Sequence, residues 1–218
     1  MADSKKGGYD AVAKKAYDYV KDRMIIGAGN DPWGERGKPN PVTQYLCVYR
    51  MRRETDKDMN PMADAMVKDF NKRMVAKYGL SPGGKTVSAV AGIVKLQHTV
   101  MVMETYGKSI DIYANNALVF GCGNCMEQSA LTFQYLRDRG VRPLDWIAQE
   151  RVFTIGIKDF GDHQFVIIGR NHKTDVGDIS TWNPEVVWCD PYENQMGGLD
   201  KIKKRFKGHT LSLRYRLD

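Results

Sequence analysis

Three side chains in this sequence could together carry out covalent chemistry on a carbonyl group: a thiol at Cys125, an imidazole at His163 and a carboxylate at Asp190. Cys125 follows the glycine-broken turn Gly121-Cys122-Gly123-Asn124 and precedes Met126-Glu127-Gln128-Ser129-Ala130. A thiolate attacks acyl carbons, an imidazole shuttles the proton, and a carboxylate fixes the orientation of the imidazole. In the reaction these residues could run, His163 takes the proton of Cys125 and the thiolate attacks. His163 then protonates the leaving ammonia or amine, and water hydrolyses the thioester. A glutamine side chain as substrate makes this deamidation, a peptide bond makes it proteolysis, and a lysine acceptor makes it cross-linking.

Each of the three needs an element to hold it. Met126 to Arg139 contains no Gly or Pro and meets Gly140, which predicts a helix with Cys125 at its start. A thiol there meets unpaired backbone N–H groups and the positive end of the helix dipole, both of which favour a thiolate. The same N–H groups, that of Cys125 among them, can hold a tetrahedral oxyanion, and one such donor is typically worth roughly 3 kcal/mol of barrier. His163 opens the apolar run Gln164-Phe165-Val166-Ile167-Ile168, and Asp190 closes Val186-Val187-Trp188-Cys189 before Pro191. Both runs read as buried strands whose ends can bring His163 and Asp190 together. Gln164 and Glu127 flank the site and receive no catalytic role. Trp182 and Trp188 are read as core residues rather than as walls of a substrate channel.

Asn124-Cys125 opening a helix, Asp162-His163 opening a strand and Cys189-Asp190-Pro191 closing one resemble the Cys-His-Asp pattern of the papain-like and transglutaminase-like cysteine hydrolases. Within that superfamily the pattern is most similar to bacterial effector and toxin deamidases. The resemblance spans Gly121 to Tyr192. It implies Cys125 as nucleophile, His163 as general base and acid, Asp190 as the orienting carboxylate, and no cofactor or metal. It also implies export by a specialised secretion system into a target cell, after residence in the bacterial cytoplasm. The chain departs from the papain-type proteases in lacking a glutamine oxyanion donor shortly before Cys125. The interval from His163 to Asp190 is also longer than in a typical transglutaminase. Both departures weigh against proteolysis and cross-linking.

Two readings from other classes compete. Cys122-x-x-Cys125 has the spacing of metal ligands, and His163 with Cys189 could complete a zinc tetrahedron in a structural module. A catalytically inactive domain of the same fold would instead bind a partner and show no reactive thiol.

A formal charge of +7 and a pI near 9.1 point to an acidic partner. Basic residues are spread along the chain, with one denser run from Lys201 to Lys207 and no aromatic-interleaved nucleic-acid motif, so the expected partner is a protein substrate with an acidic surface. Four cysteines are too few for a disulfide framework, and Cys47 reads as a small buried side chain in a reducing environment. Met1 to Gly8 is polar and offers no Sec-type apolar stretch, and no transmembrane segment is evident.

The expected fold class is α+β, with a nucleophile helix packed on an antiparallel sheet and a helical N-terminal part before it. Residues 1–110 form the helical portion, which supports the core or recognises substrate, and residues 111–218 form the catalytic core; together they are expected to make one compact unit. Helices are predicted from Tyr9 to Ile26, from Asn60-Pro61 to Tyr78 burying Met62, Met66, Phe70 and Met74, and from Val87 to Tyr106 with His98 on its apolar face. Tyr45 to Met51 reads as a short strand and Ser109 to Phe120 as irregular. Asp31 to Asn40 reads as a loop tucked by Trp33, and Ser81 to Thr86 as a turn lacking the spacing of a phosphate loop. Further strands are expected at Arg151 to Ile157, Gln164 to Gly169, Val186 to Cys189 and Leu211 to Leu217. Loops are expected at Lys158 to Asp162 and Asn171 to Asn183, and a short basic helix at Leu199 to Phe206.

Overall fold

The computed structural model describes residues 8–28, 41–78, 106–152 and 158–218. Within these, five strands form one antiparallel sheet in the order β4-β3-β2-β1-β5. They are β1 Leu144–Val152, β2 Lys158–Ile168, β3 Val187–Asp190, β4 Gln195–Gly198 and β5 Thr210–Leu217. Helices α1 (Gly8–Arg23), α2 (Pro41–Tyr78), α3 (residues 106–120) and α4 (Cys125–Arg137) precede the sheet. The short α5 (Leu199–Arg205) lies between β4 and β5. The fold class is therefore α+β, as expected.

Both faces of the sheet are covered, which explains why Phe165 to Ile168 of β2 and Val187 to Cys189 of β3 are apolar without interruption. Val166 and Ile168 of β2 join Ala16, Val20, Leu131, Phe133 and Trp146 in a core shared with α1 and α4. The alternate residues Phe165 and Ile167 meet Trp188, Ile202, Phe206 and Leu211 in a second core beneath α5. Burial of each such side chain stabilises the fold by about 1.5–3 kcal/mol. At the far end of the sheet Asp145, 1% exposed, takes Arg170 at 2.5 Å and Arg216 at 2.8 Å, tying β1 to β5 and to the loop after β2.

Several expectations need correction. Tyr45 to Met51 is not a strand; it lies in α2, where Gln44, Val48, Met51 and Thr55 bury one helical face. Tyr, Cys and Val favour strands on local grounds, and tertiary packing overrides so weak a preference. Asn60-Pro61 does not begin a helix, because Pro61 sits inside α2. Both residues are exposed there, so water can take the carbonyl that proline leaves without a donor. Residues 109–120 are helical, with Ile110, Ala114 and Ala117 fully buried at helical spacing. Lys158 to Asp162 extends β2, because Arg151 pairs with Asp159 and Val152 with Lys158 despite the poor strand propensity of the segment. The first strand starts earlier than expected, at Leu144, and its expected end at residues 153–157 lies outside the described residues. So do the Asp31 to Asn40 loop with Trp33, the Ser81 to Thr86 turn, the Val87 helix with His98, and the side chains of Met66, Phe70 and Met74.

Cys47 is not a free side chain. It forms a disulfide with Cys122 across a sequence separation of 75, with a Cα–Cα distance of 6.4 Å. Only the packing of α2 against the turn after α3 brings these sulfurs together, and spacing along the chain carries no trace of it.

Candidate active site

The turn before α4 is held from several sides. Gly121 has a φ of 66°, a conformation that favours glycine; its N–H donates to Ala117 and its carbonyl accepts from Ile26. The Gly123 N–H donates to the Gly27 carbonyl, so the segment after α1 runs beside the turn, and Cys122 is anchored to α2 by its disulfide. Closing a loop of this length restrains the unfolded chain and is worth on the order of 4 kcal/mol.

Asn124 is the N-cap of α4, which begins at Cys125. Glu127, three residues on, reaches back to accept the Asn124 N–H at 2.9 Å, in the manner of a capping box. Its carboxylate is also gripped by Arg52 of α2, from Nε at 3.0 Å and Nη2 at 3.3 Å. Burial alone would lower the Arg52 pKa; Glu127, and to a lesser degree Cys125, outweigh this and raise it. Gln128 donates to the Gly123 carbonyl at 2.8 Å, and Ser129 accepts the indole N–H of Trp146 at 2.8 Å. Helix, turn and sheet are thus fixed relative to one another at the residue that carries the sulfur.

His163 is 5% exposed and Asp190 1% exposed. The end of β3 brings Asp190 to His163 in the middle of β2, with His163 Nε2 lying 2.5 Å from Asp190 Oδ2. The Cys125 side chain interacts with the same ring, through both hydrogen bonding and charge. Immediately beyond His163 the β1–β2 register shifts, since Gln149 pairs with His163 but Arg151 with Asp159. Irregularities of this kind re-aim side chains at strand ends. Burial works against a charged His163, but the hydrogen bonds and charges of Asp190 and Cys125 win and push its pKa up to about 10. Burial also raises Asp190, against the pull of the imidazolium. The ring packs between Tyr192 and Phe165, with centroids at 5.6 and 5.8 Å.

A further carboxylate stands behind this pair. Glu193 donates its backbone N–H to Asp190 Oδ1 at 3.1 Å and places Oε1 3.8 Å from His163 Nε2. Arg205 of α5 holds both Glu193 oxygens. Burial would raise Glu193, but Arg205 and His163 bring its pKa below the usual range. Among the described residues, His163, Asp190 and Glu193 form a group whose ligand atoms lie within 4.8 Å of one another. Each is already satisfied by its protein partners.

All three side chains singled out in the sequence therefore meet. The proposed zinc set does not assemble, since Cys122 is locked to Cys47, and the buried Cys189 thiol donates to the Ala13 carbonyl with its pKa raised by burial. Trp182 and Trp188 are core residues, 4% and 1% exposed. Sequence reasoning missed Arg52, Glu193 and Arg205. The capping-box spacing of Asn124 and Glu127 was a usable sign of a buried carboxylate in need of a cation, whereas nothing in sequence marks Arg205 as the partner of Glu193. Compared with known proteins, the chain matches no family model, no curated protein and no solved structure.

Proposed function

We propose that this chain is a cysteine-dependent acyl-transfer enzyme on a papain-like or transglutaminase-like core, acting as a deamidase of glutamine side chains in a target protein. The observation that carries this reading is the linked series from Cys125 through His163 to Asp190, in which a buried imidazole interacts with both the thiol side chain and the carboxylate. With its pKa near 10, His163 holds its proton at neutral pH and stands as an imidazolium beside the Cys125 sulfur, which attacks as the thiolate. The thiolate attacks the side-chain amide carbon of glutamine, and the first-turn N–H groups of α4 hold the oxyanion. Imidazolium gives its proton to the departing ammonia, forming the thioester and leaving a neutral ring. That ring draws a proton from water as hydroxide attacks, releasing glutamate and restoring the starting pair. Delivery by a bacterium into another cell belongs to the same reading and rests on the resemblance alone.

Intact-mass analysis of candidate target proteins incubated with wild type and with Cys125→Ala tests it. The expected result is a gain of about one dalton per modified glutamine, absent with Cys125→Ala and reduced about 10²–10⁴-fold with His163→Ala. Target fragments would reassign the enzyme as a protease, and joined chains as a transglutaminase. An alkylation rate at Cys125 that His163→Ala leaves unchanged would remove the basis of the proposal.

A further inference from the structure

A cleft of about 640 Å³ is lined by Trp188 and Glu193, by Gln195 of β4, and by Lys201, Lys204 and Arg205 of α5. Its volume suits a few side chains of an incoming segment. Glu193 is common to both places: it forms part of the cleft wall and approaches His163 Nε2 at 3.8 Å. Through Glu193 the cleft adjoins the carboxylate side of the imidazole.

The charges lining the cleft decide what could occupy it. Arg205 engages both oxygens of Glu193, so that carboxylate is neutralised within the wall. The remaining charge is that of Lys201 and Lys204, both exposed and, among the described residues, neither paired with a carboxylate. Lys201 donates to the Met196 carbonyl, which places its ammonium at the β4 edge. These residues belong to the densest basic run of a chain with net charge +7. A recess with two ammonium groups at its edge favours carboxylate side chains on an extended, flexible segment. A flat bilayer surface cannot enter it.

We infer that this cleft is an exosite for an acidic segment of the protein substrate, a short distance along that chain from the glutamine presented to Cys125. The inference rests on the deamidase reading for its purpose, but the binding it describes can be measured without catalysis. The Cys125→Ala protein is titrated into a dye-labelled peptide of eight glutamates and followed by fluorescence anisotropy, alongside Cys125→Ala carrying Lys201→Glu and Lys204→Glu. The expected result is saturable binding that weakens with added salt and about tenfold or more with the double charge reversal. Binding that is absent, or indifferent to the reversal, overturns the exosite. So does tighter binding of a single-stranded DNA oligomer through the same two lysines, which would make the cleft a nucleic-acid site. Selective alkylation of Cys125 by iodoacetamide, and its loss in His163→Ala, judges the enzyme reading separately, so failure of one is not mistaken for failure of the other.

Discussion

In the proposed enzyme, a histidine that keeps its proton to about pH 10 sets an upper limit on the pH at which the Cys125 site can work. Above that point the ring can no longer serve as the acid for the leaving group, so turnover should fall along an alkaline limb governed by His163. The same shift has a consequence for stability. The folded value lies above the ordinary 6.5, so the stabilisation from the His163–Asp190 pair is whole below about pH 6.5, declines as pH rises and is gone above about 10. Asp190→Asn should therefore lower the melting temperature more at mildly acidic pH than at pH 10, as thermal denaturation at both values would reveal. Equal losses at the two would argue against an ion pair. At this scale Cys125 and Asp190 were legible because each sits at a recognisable boundary, a helix start and a strand end before proline, whereas His163 was legible from the apolar run after it although β2 already begins at Lys158. Arg52, Glu193 and Arg205 act only through contacts between distant parts of the chain, and no local pattern announces such contacts.

Among the elements, α4 depends most on its first turn. A Cβ placed on Gly123 would lie 2.6 Å from Glu127 Cβ, an atom fixed close to the backbone that cannot swing away. Gly123→Ala should push α4 off its capping carboxylate and destabilise the protein by about 1–3 kcal/mol, measured by urea denaturation. Activity should fall with it, since Cys125 rides on that turn. A neutral result would show that Glu127 can move without disturbing the helix. The helix, the apolar strands and the final strand could be read from periodicity because burial on one or both faces repeats with the geometry of the element. The stretch at Tyr45 to Met51 could not, since its strand-favouring residues are held in a helix by contacts with α3, such as the Asn116 amide that donates to Thr55 at 3.2 Å. Strand β4 was missed for a related reason: Gln195–Gly198 has neither alternation nor β-branched residues, and its pairing with β3 defines it.

Taken whole, the molecule is a sheet clamped between two apolar cores, with charge buried at one end of it. Asp145→Ala should leave Arg170, 3% exposed, without its carboxylate and destabilise the fold by about 3–5 kcal/mol, with little change in the reactivity of Cys125. Calorimetry paired with thiol alkylation would separate the two effects, and an alkylation rate that fell in parallel would mean the sheet transmits the damage. The cross-link between Cys47 and Cys122 reaches further than the turn it anchors, because it makes the chain between those residues a covalent ring containing most of α2 and all of α3. A protease that cuts once inside this ring does not divide the molecule. The two pieces should migrate together on a non-reducing gel and part only when the sulfurs are reduced, leaving the half that bears α1 and the half that bears Cys125, His163 and Asp190 as separate chains.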